Sequence, residues 1–142
     1  MLDQLHAAVR GELPPPPVAR LVGFRLVGVS EGRATVALEA GPQHANPMGT
    51  LHGGILCDVA DAAMGIAYAS TLAQDETFTT LELKINFLKP IWNAKLTAEG
   101  RVVKRGRTVG LAECDITDEQ GSLVARASST CMTLRGSDGA GR

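Results

Sequence analysis

Residues 78–88 alternate between apolar and polar positions. Leu81, Leu83, Ile85 and Phe87 fall on one side, Thr80, Glu82, Lys84 and Asn86 on the other, and Pro90 stops the run. This is the pattern of a half-buried strand. Upstream the period changes. Across residues 54–74 one stripe holds Ile55, Val59, Ala63 and Ile66, and the next holds Leu56, Ala60, Met64 and Ala67. That spacing predicts one long helix with a broad apolar face. Ala60, Ala62, Ala63, Gly65, Ala67 and Ala69 make the helix thin enough to lie close to a sheet. A glycine inside a helix costs roughly 1 kcal/mol against alanine, and close approach of another backbone is the expected reason for Gly65.

The remaining elements follow from turns and alternation. Residues 24–30 and 33–40 read as a hairpin turning at Glu31-Gly32. Residues 96–104 and 108–117 flank a turn at Arg105-Gly106-Arg107, and residues 118–122 turn into a last strand, 123–134. Residues 1–12 form a short helix with Leu2, Leu5 and Val9 on one face, and the prolines 14–17 end it as a stiff, extended connector. The expected organisation is therefore a helix and connector (1–17), one domain (18–134), and a small, polar, disordered tail (135–142). One helix cannot cover both faces of a six-stranded antiparallel sheet. The sheet is expected to curl around the long helix in an α+β fold, with a second copy covering apolar surface that remains.

Composition narrows the function. With 142 residues, 44% hydrophobic content and a net charge of −1, the chain can build a core but lacks the basic face of a nucleic-acid binder. No apolar run reaches the roughly 18 residues of a membrane helix, and residues 1–12 lack the basic start and apolar centre of a signal peptide. Three scattered cysteines, Cys57, Cys114 and Cys131, fit reduced, small buried side chains in a cytoplasmic protein.

The chemistry concentrates in the loop before the long helix, Asn46-Pro-Met-Gly-Thr-Leu-His52-Gly53-Gly54, and in Asp61 beyond it. Gly53 and Gly54 allow a sharp turn into the helix. Amides at a helix start have no intrahelical acceptor and carry the positive end of the dipole, so they suit an oxygen that becomes negative in a transition state. Asn46 adds a side-chain amide, and His52 can brace the loop or bond substrate. Asp61 is a carboxylate in an alanine-rich segment, costly unless used or paired. Asp58 reads as a helix-stabilising carboxylate near the positive end of the dipole.

The stretch from Asn46 to Ser70, together with LELKINFLKP and VVKRGRTVG further on, resembles hotdog-fold acyl-CoA thioesterases, most of all their phenylacetate-pathway (PaaI-like) branch. The resemblance covers residues 18–134. It implies a sheet wrapped around a central helix and hydrolysis of an acyl-CoA or aryl-acyl-CoA thioester without metal or cofactor. It implies Asp61 as general base or nucleophile and the Gly53 amide as the group polarising the carbonyl. Asn46 would sit beside that carbonyl or the attacking water, His52 would support the loop, and Thr80 would help hold the water. Asp61 and Thr80 of one chain would act with Asn46, His52 and Gly53 of another, in a homodimer or a tetramer of two dimers. Gly65 stands where a branch with a glutamate base carries threonine, so that branch's water-holding scheme does not transfer.

The coenzyme end is expected at the hairpin turn, where Lys104, Arg105 and Arg107 gather beside Gly106 and Thr108, with Gly54 completing the substrate contacts. Two other readings stay open: a hotdog acyl-CoA hydratase or dehydratase, and an acyl-CoA sensor without turnover. A metal hydrolase using His44, His52 and Asp61 has no supporting ligand spacing, and Cys57 has no matched histidine to make it a nucleophile.

Overall fold

The structure, a computed structural model, describes residues 1–139. Its elements are α1 (Leu2–Val9), α2 (Pro17–Val22), β1 (Arg25–Ser30), β2 (Arg33–Ala40), a 3-10 turn (Pro42–His44), α3 (Gly53–Ala69), β3 (Glu76–Phe87), β4 (Ala94–Arg105), β5 (Val109–Thr117), β6 (Leu123–Arg135) and a closing 3-10 turn (Gly136–Gly139). The strands form one antiparallel sheet in the order β1-β2-β4-β5-β6-β3. Helix α3 touches all six strands, which is the curled sheet around a central helix that the single apolar helix demanded. None of the described helices is long and apolar enough to cross a membrane.

The core is the seam between α3 and the inner face of the sheet. Val59, Ala60, Ala63 and Met64 have no solvent exposure and share one cluster with Val36, Leu38, Leu96, Ala98 and Ile116 from the strands, while Tyr68, equally buried, packs in a second cluster with Leu72 and Cys131. The close backbone approach falls at Gly100 rather than at Gly65. A Cβ on Gly100 of β4 would lie 2.3 Å from the Ala63 carbonyl oxygen, whereas one on Gly65 would only reach the Phe78 ring at 3.4 Å. The thin helix is therefore matched by a missing side chain on the strand.

The expected elements shift in five places. Pro17 does not extend the proline connector. It opens α2 at the first helical turn, where its missing N–H costs nothing, and Gly23 closes that helix at φ 91°. Helix α1 stops at Val9 instead of residue 12. Helix α3 begins one residue earlier than expected and ends at Ala69, five before Gln74. Its last turn is drawn off by local bonds, Ser70 Oγ donating to Ala67 O (2.7 Å) and Thr71 Oγ1 to Tyr68 O (2.7 Å). In the expected tail, residues 136–139 form a helical turn, and 140–142 lie outside the described residues.

The fifth shift matters for function. In the β3–β6 ladder Thr80 opposes Cys131 and Glu82 opposes Thr130, so Leu81 is an extra residue, a β-bulge. Alternation inverts there. Leu83 and Ile85 pack on the core, as expected, but Phe78 and Thr80 turn to the helix side as well, and Leu81 is exposed. The expectation that Thr80 shares the face of Glu82 is thus corrected.

Candidate active site

The loop after β2 is held by His44, whose sequence context offers only a metal-ligand role without the spacing to support it. Buried His44 accepts from Gly41 N at Nδ1 (3.2 Å), and its Nε2 lies 2.7 Å from the Val22 carbonyl. Because a carbonyl can only accept, Nε2 donates to Val22 O while Nδ1 accepts. The His44 carbonyl in turn accepts from His52 N (2.9 Å). Asn46 closes the next turn: its Oδ1 accepts from Met48 N (2.9 Å), its Nδ2 donates to Thr50 Oγ1 (2.8 Å), and its backbone N donates to Thr50 O (2.7 Å). Sequence alone could have flagged His44, since it lies inside the polar loop, but nothing local reveals its partner 22 residues away.

His52 is the N-cap of α3. Its Nδ1 accepts from Gly54 N at 2.8 Å. That bond uses the Gly54 amide, while the Gly53 amide has no acceptor among the described residues. The helix start therefore offers one amide rather than two. Gly53 is also sterically fixed, because a Cβ there would lie 2.8 Å from Cζ of Phe87 at the far end of β3. Asn46, Thr50, Leu51, Gly53, Leu56 and Phe87, with residues 88–91, line a cleft of about 390 Å³. Asn46 and the Gly53 amide thus meet a cleft whose other polar members are Thr50 and Lys89 and whose remaining walls are apolar.

Asp61 lies elsewhere. It follows Gly53 by eight residues on a helix that rises about 1.5 Å per residue, so the two are about 12 Å apart. Thr80 Oγ1 donates to Asp61 Oδ1 at 3.2 Å. The carboxylate reaches solvent, yet the apolar atoms around its base hold its pKa above the ordinary aspartate value of 3.8. The Thr80 hydrogen bond pulls the other way, and the negative Asp58 one turn earlier adds to the rise. Asp58 is the sixth residue of α3 and no acidic residue lies in the first turn. The helix dipole fades within that turn, so the dipole role expected for Asp58 does not hold; it faces Asp61 at i+3 instead.

At the β4–β5 turn, Lys104 and Arg107 are exposed, as is Thr108. Arg105 is not a free cation. Its guanidinium stacks 5.0 Å over the Tyr68 ring and pairs with Glu76 at 2.8 Å. Gly106 N donates back to Val109 O (3.0 Å), closing the turn. Cys114 and Cys131 are buried, Cys57 partly so, and all three thiols are free; burial pushes the Cys114 thiol up to about 12. Among the described residues no group of three or more His, Cys, Asp or Glu gathers as a metal site.

The sequence profile of the Thioesterase superfamily matches residues 48–125. A protein of Saccharolobus solfataricus named as an esterase is 33% identical, over 83% of this chain and 84% of its own length. A 1,4-dihydroxy-2-naphthoyl-CoA hydrolase of Listeria monocytogenes is 32% identical, over 72% of this chain and 84% of its own. Among solved structures, a phenylacetic acid degradation-related protein of Ralstonia eutropha JMP134 superposes with a TM-score of 0.81 at 31% identity, covering 90% of this chain and 98% of that one.

Proposed function

The chain belongs to the thioesterase superfamily, and from that premise we propose that it hydrolyses acyl-CoA or aryl-acyl-CoA to the free acid and CoA, at a site shared between two copies. The observation that carries this reading is Asp61, bonded to Thr80 of β3 and set on the same helix as the Gly53 amide but about 12 Å from it. Hydrolysis of a thioester needs a base or nucleophile at the carbonyl carbon and a donor at its oxygen. Those atoms are about 1.2 Å apart, so one chain cannot bring both groups to one substrate.

A second copy removes the difficulty. Strand β3 is an edge of the sheet, an unpaired row of backbone groups that invites another strand. Thr80 touches Asp61 and Phe87 touches Gly53, seven residues apart on this one strand. Antiparallel pairing of two β3 edges, centred between Leu83 and Lys84, sets Thr80 of each copy beside Phe87 of the other. Asp61 then faces the Gly53 amide and Asn46 across the interface. Asp61 takes the proton of the attacking water or attacks directly, and the Gly53 amide stabilises the oxyanion as the tetrahedral centre forms. Collapse of that centre releases the CoA thiolate, which takes up the proton; on the nucleophilic route the acyl-aspartyl anhydride left behind is then hydrolysed by water to the free acid and the Asp61 carboxylate. Lys104 and Arg107, with Gly106 and Thr108 at the same turn, take the coenzyme phosphates, while Arg105 serves as a support behind them. The reading is supported by the hydrolysis of a CoA thioester named for the Listeria relative.

Complementation tests it. Asp61→Asn and Asn46→Ala chains, each inactive alone, are co-refolded and assayed for thiol release from acyl-CoA. A shared site restores activity through mixed dimers carrying one intact centre. No restoration, or a fully active monomer by light scattering, overturns the shared site; no thiol release from any acyl- or aryl-acyl-CoA with the unaltered chain overturns the activity.

A further inference from the structure

We propose that Glu76 is a positioning residue for the coenzyme site: its carboxylate holds the two arginines that set the backbone of the β4–β5 turn. The inference rests on the reading of that turn as the phosphate-binding site. Glu76 opens β3, far from Asp61 and from the turn in sequence, and its side chain is only 11% exposed. One oxygen, Oε2, accepts from Arg105 Nη2 (2.8 Å) and from Ala73 N (3.0 Å); the other, Oε1, accepts from Arg135 Nη2.

Both arginines pass this constraint to the turn. Arg105 Nη1 donates to the Gly106 carbonyl, and Arg135 Nη2 donates to the Arg107 carbonyl (2.7 Å). The next carbonyl, Thr108, accepts from Thr133 N (2.7 Å). Three successive carbonyls are thereby drawn onto donors within the protein, while the Lys104 and Arg107 side chains remain exposed. Arg105 cannot swing away, because it lies over Tyr68 and its Nε donates to Thr71 Oγ1 (3.3 Å); Tyr68 is itself bonded through its hydroxyl to Thr133 Oγ1 (2.9 Å). The Ala73 amide, and after it Arg135 and Arg105, hold the Glu76 carboxylate below its ordinary pKa against the opposing effect of burial.

Ion pairs this close to solvent add little to stability, and Arg135 is 42% exposed. What the network does supply is a fixed shape. A phosphate-binding turn whose peptide groups are set before the ligand arrives loses less entropy on binding. The arrangement also explains why three cations sit near one turn while one of them, Arg105, points inward.

The experiment compares two substrates with the same acyl group, acyl-CoA and its acyl-pantetheine counterpart, which lacks the nucleotide phosphates. Glu76→Gln should raise KM for acyl-CoA roughly tenfold, about the worth of one charge-assisted contact, with kcat within about twofold and acyl-pantetheine kinetics unchanged. Arg135→Ala, which frees the Arg107 carbonyl without touching the core, should move KM in the same direction and serves if the Glu76 variant folds poorly. Arg107→Ala tests the underlying reading by itself. An acyl-CoA-specific rise in KM for Arg107→Ala, with none for Glu76→Gln or Arg135→Ala, overturns the positioning role and leaves the phosphate site standing. Equal losses on both substrates overturn it too, as the mark of a general structural role. No acyl-CoA-specific effect from Arg107→Ala overturns the phosphate site and the inference with it.

Discussion

Thr80 Oγ1 donates to Asp61 Oδ1 across 3.2 Å, and it does so because β3 carries Leu81 as an extra residue that turns Thr80 toward the helix. The hydrogen bond stabilises the ionised carboxylate against the desolvation that raises its pKa. Thr80→Ala should therefore push that pKa further up and move the acidic limb of the kcat/KM–pH profile to higher pH, while Thr80→Ser leaves it in place. A pH series of thiol-release rates reads both.

Asp61→Asn should lower kcat by at least about 100-fold, the usual scale for loss of a general base. Stability should move the other way or not at all. A carboxyl whose pKa rises on folding contributes stability that is fully present below the unfolded value near 3.8 and is lost as pH rises through the folded value. At neutral pH the charged group opposes folding, so asparagine removes a penalty. Steady-state kinetics paired with melting curves at pH 7 test the combination, and a clear loss of Tm would contradict it.

Asp58→Asn should keep most of the turnover and shift the acidic limb to lower pH, because Asp58 raises the Asp61 pKa through its charge. An inactive but folded Asp58→Asn enzyme would assign the catalytic carboxylate to the wrong turn of the helix.

Two glycines should respond in opposite directions. Gly100→Ala drives a methyl to 2.3 Å from the Ala63 carbonyl oxygen and should cost about 3 kcal/mol as helix and strand are forced apart. Gly65→Ala meets the Phe78 ring at an ordinary 3.4 Å and should gain up to about 1 kcal/mol from helix propensity. Denaturant midpoints separate the two.

The two loop histidines should also separate. His44→Ala empties a buried position and strips the Val22 carbonyl of its donor, a loss on the order of 2–4 kcal/mol. His52→Ala removes one N-cap bond, worth about 1 kcal/mol. Thermal melts of both variants provide the measurement.

What the sequence made legible was local. The glycine turn into the helix at Gly53-Gly54, the carboxylate at Asp61 and the alternation through Leu83, Ile85 and Phe87 are properties of neighbouring residues, and the family resemblance rests on the same stretch. What it hid depended on pairing. Thr80 was assigned to the wrong face because a bulge is set by the partner strand, here at Cys131 and Thr130. Arg105 read as one of the phosphate-binding cations because its partner Glu76 lies 29 residues away. Pro17 looked like the end of a connector because a proline at a helix start and a proline in an extended run carry the same local signal.

The extra residue in β3 has a consequence for how this strand can change over generations. Phe78 and Thr80 face the helix in one phase, Leu83, Ile85 and Phe87 in the other, and Leu81 is the joint between them. Losing a residue at that joint leaves both phases pointing inward. A residue gained or lost further along the strand acts as a frameshift in space, turning either the threonine or the packing residues out to solvent. In a lineage that drifts by single-residue insertions and deletions, length variation in this strand should collect beside Leu81 and be purged elsewhere.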